Sequence, residues 1–133
     1  MIGRLFVAAL LWGCGPPVRL LDAKGGVLRE CTSVDYATTP EARELGLGKH
    51  APLDQTQLLV LRYPVVDEAC ITNGPVSFPI VALFVDGAGG VLAVERFAAK
   101  ESAPRCHRGV ADVLELEASL PDGVVSVTGL APR

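Results

Sequence analysis

The segment Phe78–Phe97, FPIVALFVDGAGGVLAVERF, constrains the fold more than any other part of the chain. Two apolar runs, Phe78–Val85 and Val91–Phe97, flank Asp86-Gly87-Ala88-Gly89-Gly90. Turn formers between two strand-forming runs predict an antiparallel hairpin. The rest of the chain repeats this grammar. Val18–Leu21 reads as a strand that enters the turn Asp22–Gly26, and Val27–Ala37 reads as one strand with Leu28, Val34 and Tyr36 as apolar contacts. Gln57–Tyr63 is closed by Pro64, and Glu68–Thr72 is bounded by Asn73-Gly74-Pro75. Val110–Ala118 and Val124–Thr128 flank Pro121-Asp122-Gly123. One helix start interrupts the strands. In TTPEARELG, Thr38 with Glu41 fits a capping box, Thr39 with Pro40 fits N-cap and N1, and Gly46 offers a left-handed stop. The pattern predicts a mainly β fold, a compact antiparallel β-sandwich or barrel with one short helix near residues 39–46.

At 133 residues the chain has the length of one domain, expected over residues 18–133. Half of its residues are hydrophobic and a fifth are charged, a globular balance. A net charge of −3 argues against a phosphate-backbone partner, so no nucleic acid is expected. Aromatic residues are 5 %, which leaves few platforms for stacking bases or sugars.

The first thirteen residues read as an export signal. Met1 and Arg4 form a short positive region and Leu5–Leu11 an apolar stretch. This run is too short for a spanning helix, which needs about 20 apolar residues. Leu11-Trp12-Gly13-Cys14 resembles a bacterial lipobox, in which the cysteine is diacylated after cleavage in front of it. Trp12 departs from that pattern. The resemblance implies a signal peptide over residues 1–13, a lipidated Cys14 and a short linker through residue 17. The expected place is outside the cytoplasm on a membrane, with outer-membrane delivery favoured because Gly15 rather than Asp follows the cysteine. The membrane partner would be engaged through the N-terminal lipid.

Three further blocks occur in order: TPEARELGL (Thr39–Leu47), FPIVALFVDGAGGVLAV (Phe78–Val94) and VADVLELEA (Val110–Ala118). Together they resemble the domain of unknown function, family 192, over roughly Val27–Thr128. That resemblance implies a compact, mostly β domain with one short helix and brings no established activity. Gly48, Gln57, Thr72, Asn73 and Val81 stand where the family pattern carries other residues, so a family site would be rebuilt here.

The candidate polar residues are Arg43, Asn73, Asp86 and Glu115. In VLELE, alternation sets Leu114 and Leu116 on one face and Glu115 on the other. Glu115 is therefore expected to be a solvated strand residue or a partner of Arg43, with a site carboxylate as the functional alternative. With Cys14 lipidated, Cys31, Cys70 and Cys106 remain; Cys70–Cys106 is the expected disulfide and Cys31 a buried thiol. The cysteine spacing, with His50 and His107 as the only histidines, fits no zinc motif, so neither metal nor cofactor is expected. No catalytic motif is recognisable. The leading expectation is a non-catalytic binding or envelope-interaction module. The alternative is a small-ligand or carbohydrate-binding domain, or a hydrolase, with a pocket near Asn73, Asp86 and Glu115.

Overall fold

The computed structural model describes residues 16–133; the signal segment 1–13 and Cys14 lie outside the described residues. The order of elements is β1 (Val18–Leu21), β2 (Val27–Cys31), β3 (Ser33–Ala37), α1 (Pro40–Leu45), β4 (Gln57–Ile71), β5 (Ile80–Val85), β6 (Val91–Phe97), β7 (Arg105–Glu117) and β8 (Ser126–Thr128). They form a three-stranded sheet, β2-β1-β8, and a five-stranded sheet, β3-β4-β7-β5-β6. Among the described residues the fold is mainly β, two sheets with one short helix and no closed barrel, as in a β-sandwich.

The larger sheet is buried on both faces. Leu58, Val60, Val81, Leu83, Val85, Leu114 and Leu116 meet Val18, Leu20, Cys31 and Val127 of the smaller sheet. On the opposite face Leu61, Ile80, Ala82, Phe84 and Val113 meet Leu47, Leu53, Val76 and Phe78 of the connecting loops. All six residues of β5 are buried in consequence, where a one-sided sheet would alternate.

The Phe78–Phe97 hairpin forms as its turn residues require. Asp86 Oδ1 accepts from the Ala88 N–H at 2.9 Å and the Gly90 N–H at 2.8 Å, and Gly89 supplies a φ of 87°. The β1–β2 turn repeats the device: Asp22 Oδ1 accepts from Lys24 N–H and Gly26 N–H, and Gly25 has a φ of 80°. Both turns read Asp-x-x-Gly-Gly.

Several expectations are corrected. The Val27–Ala37 run is two strands in different sheets, broken at Thr32. The smaller-sheet half pairs with β1 and the other half pairs with β4 in parallel, Ser33 opposite Gln57 through Ala37 opposite Leu61. A parallel neighbour requires a crossover, and α1 with the loop after it supplies that crossover. The sheet is therefore not wholly antiparallel. Pro64 does not end its strand either. The β4–β7 register jumps between Arg62/Asp112 and Asp67/Val110, so Pro64 sits in an irregularity where its missing N–H costs no ladder bond. Val65 and Val66 are exposed there. At the helix, Thr39 is the N-cap, its side chain accepting from the Ala42 N–H at 3.1 Å, and no Thr38–Glu41 capping box forms.

Leu83 and Val94 are directly opposite on β5 and β6, yet Leu83 is 0 % exposed and Val94 41 %. Leu83→Ala is expected to cost about 2–5 kcal/mol, and Val94→Ala about 0.5 kcal/mol or less. Chemical denaturation of both variants measures the difference; equal losses would contradict the two-sided burial of the sheet.

Candidate functional site

β7 carries Glu115 into the middle of the larger sheet, with Leu59 of β4 on one side and Ala82 of β5 on the other. Its carboxyl points to the face covered by α1 and the connecting loops, where it is 3 % exposed. The solvated-residue expectation fails because that face is a second core. Glu115 Oε1 is buried and has no hydrogen-bond partner among the described residues. Desolvation by burial pushes the carboxyl from an ordinary 4.5 up to about 7.

Glu115 lies at a cleft of about 300 Å³ between α1 and β4. Arg43, Glu44, Tyr63 and Thr72 supply its other polar side chains, and Leu47, Leu61, Ile71 and Val76 its apolar walls. The turn after α1 closes over the carboxyl. Gly46 has φ 53°, and a Cβ there would stand 3.0 Å from Glu115 Oε1. Glycine thus satisfies both the left-handed backbone and the close approach.

Arg43 shares the cleft but does not pair with Glu115. Its Nη1 donates to Thr38 O at 2.8 Å and to Arg62 O at 3.0 Å, which ties α1 to β4. Its guanidinium lies over the Tyr63 ring, 5.0 Å from the centroid. Tyr63 feels both charges: burial raises its hydroxyl, Arg43 opposes the rise and Glu115 adds to it.

The remaining candidates do not converge here. Asn73 is fully buried and donates from Nδ2 to Phe78 O at 3.0 Å and Ala98 O at 2.9 Å, bracing the entry to β5. Asp86 is consumed by its own turn and lies at a different cleft, with Arg62, Asp112 and Arg133. A pocket joining Asn73, Asp86 and Glu115 is therefore absent among the described residues. Cys70 and Cys106 form a disulfide across β4 and β7, and Cys70 lines the Glu115 cleft. Cys31 is free and buried, its thiol pushed to about 11, chiefly by burial. Of the positions that depart from the family pattern, Thr72 lines the cleft, whereas Val81 is buried on the opposite face. Tyr63 and Gly46 escaped the sequence reading. Gly46 was legible only as a helix stop, and Tyr63 only as the end of a strand before Pro64.

The fold and the cleft define a class: a mainly β domain, buried on both faces of its larger sheet, with an unpaired carboxyl under a short crossover helix. The chain belongs to the family described as DUF192, uncharacterized ACR, which matches residues 21–129. Two solved structures share the fold. One, from Sinorhizobium meliloti 1021 and described as a "putative transcription regulator", is 23 % identical with a TM-score of 0.76, over 85 % of this chain and 92 % of that one. The other, a protein of unknown function from Novosphingobium aromaticivorans DSM 12444, is 17 % identical with a TM-score of 0.74, over 84 % and 83 %. No curated protein matches the chain.

The raised carboxyl has a signed consequence for stability. Between the unfolded value near 4.5 and the folded value of about 7, the folded state binds more protons than the unfolded state. Stability contributed by protonated Glu115 is thus present in acid and lost as pH rises through 7. Asp54, Glu95 and Glu101 act below that window. Hydrogen bonds from Thr56, from His107 and from the Ala98 N–H respectively hold them below their ordinary range. From about pH 5 to about pH 8 the native chain is expected to lose about 2–3 kcal/mol more than Glu115→Gln. Urea titrations of both proteins across that range measure it. Parallel curves would mean that the carboxyl is solvated.

Proposed function

We propose that this chain is a small-ligand-binding domain displayed outside the cytoplasm. The observation that carries the proposal is Glu115 Oε1, a buried acceptor with no donor at an open cleft. Leaving a buried polar atom unpaired costs on the order of 1–3 kcal/mol, more when it is charged. A ligand that brings an N–H or O–H into the cleft removes that cost. The other polar side chains there, Arg43, Tyr63 and Thr72, are suited to orienting a ligand by hydrogen bonds. The cleft lies at the small end of pockets that hold compact molecules, roughly 300–1,000 Å³. A net charge of −3 argues against extending the regulator description of the structural relative to DNA binding here. Amide NMR spectra of the full chain, screened against a library of small polar molecules, test the proposal. Shifts are expected at Gly46, Leu47, Tyr63, Thr72 and Glu115, and are expected to be lost in Glu115→Gln. Ligands that perturb only the surface around Asp86 would overturn it.

The domain is held at a membrane by a diacylated Cys14 following cleavage of residues 1–13. The lipobox-like Leu11-Trp12-Gly13-Cys14 supports this placement, and so does the Cys70–Cys106 disulfide, since such bonds persist in oxidising compartments. Intact-mass measurement on membrane fractions is expected to show a chain starting at Cys14 with added diacylglyceryl mass, absent from Cys14→Ser. A full-length, unmodified chain would remove the anchor and the envelope role together.

A further inference from the structure

A guanidinium and a buried carboxyl line the Glu115 cleft without meeting, and each is held apart by its own scaffold. Arg43 is fixed by two backbone carbonyls, Thr38 O and Arg62 O, both received by Nη1, and by the Tyr63 ring beneath it. None of the described residues takes a hydrogen bond from its Nε or Nη2. Glu115 is fixed by its register on β7, between Leu59 and Ala82, and by the Gly46 backbone above it. An arginine and a carboxylate in reach of each other ordinarily form an ion pair, because an uncompensated buried charge is costly. Here the strand and the helix hold them apart, so the Nε and Nη2 edge of Arg43 and the buried Glu115 carboxyl both line one cleft without a partner among the described residues.

We infer that the cleft binds a small zwitterion of the α-amino-acid class, its ammonium on Glu115 and its carboxylate on the free edge of Arg43. This rests on the small-ligand reading above and narrows it. The guanidinium edge matches a carboxylate in shape and charge, whereas the buried carboxyl takes N–H donors. Leu47, Leu61, Ile71 and Val76 give the ligand's side chain an apolar wall. Simpler ligands fit less well. An amine without a carboxylate leaves Arg43 unused, and an anion without an amine places a second negative charge near Glu115. A sugar or nucleobase lacks a platform, because among the described residues Tyr63 is the one aromatic lining the cleft and Arg43 already covers one face of it.

Pairing with an ammonium requires Glu115 to be ionised, so affinity rises with pH until the carboxyl is fully charged. Among the described residues the other charged or titratable groups lining the cleft are Arg43 and Glu44 from α1 and Tyr63 from β4. Glu44 is exposed on the helix.

Calorimetric titration of the full chain with each of the twenty common amino acids tests the inference, beside N-acetyl and methyl-ester derivatives of any that bind, methylamine, acetate and glucose. At least one amino acid is expected to bind, with both blocked derivatives weaker by about tenfold or more. Its affinity is expected to rise by about tenfold between about pH 6 and about pH 8, and this rise is expected to vanish in Glu115→Gln. The blocked ligands keep the test independent of whether Arg43 variants fold. Binding of glucose or methylamine at the cleft without any amino acid would overturn the zwitterion while leaving a small-ligand domain. Binding of none of them would overturn the zwitterion outright, and the wider proposal then stands or falls on the NMR screen.

Discussion

The pairing of β7 with β4 on one side and β5 on the other is the interaction on which the structure depends. From Asp112 to Leu116 every residue of β7 has a ladder partner on both flanks, and every one is buried. Both layers that cover the sheet pack against this strip. The β2-β1-β8 sheet rests on Leu114 and Leu116, while Leu47, Leu53, Leu61 and Phe84 gather in the cluster that holds Val113. A strand buried on both faces exposes no side to water. Any polar residue placed on it must find a partner within the protein or go without one.

The buried strip from Asp112 to Leu116 contains one residue of each kind. Asp112 is met by Arg62, through Nε at 3.0 Å and Nη2 at 3.3 Å, and by Arg133 Nη1 at 3.1 Å. Arg62 also reaches Ala131 O at 2.7 Å, and Tyr36 accepts from the Ala131 N–H at 2.8 Å. That carboxylate organises the last residues of the chain and is fully employed as structure. Glu115 lies three positions along the same strand on the other face, and no arginine among the described residues reaches it. The contrast within one strand is what separates a structural carboxylate from a site carboxyl.

The disulfide and the crossover give the cleft its two walls. Cys70–Cys106 clips β4 to β7 beyond the irregularity at Pro64, where the ladder has lost its regular bonds. That keeps Ile71 and Thr72 beside the cleft. On the other wall, α1 is too short to be stable alone. It is held by its Thr39 cap and by Arg43, whose bond to Arg62 O crosses to the sheet. Arg43 therefore builds the cleft and faces it.

The sequence by itself determined what depends on near neighbours. The Phe78–Phe97 hairpin, the turn at Asp22–Gly26, the Thr39–Pro40 helix start and the Gly46 stop are written in residues whose backbone preferences are local. The mainly β class follows from them. Tertiary structure decided whatever depends on the far side of a strand. Alternation in VLELE assigned Glu115 a face, but only the packing of α1 and its loops over the sheet made that face an interior. The parallel partnership of β3 with β4, and the continuation of β4 past Pro64, arise from pairings with distant strands that leave no local mark. Arg43 and Glu115 were both legible as polar candidates, and they do share a cleft. That they share it unpaired is set by two carbonyls, one aromatic ring and a glycine, brought together from elements distant in sequence.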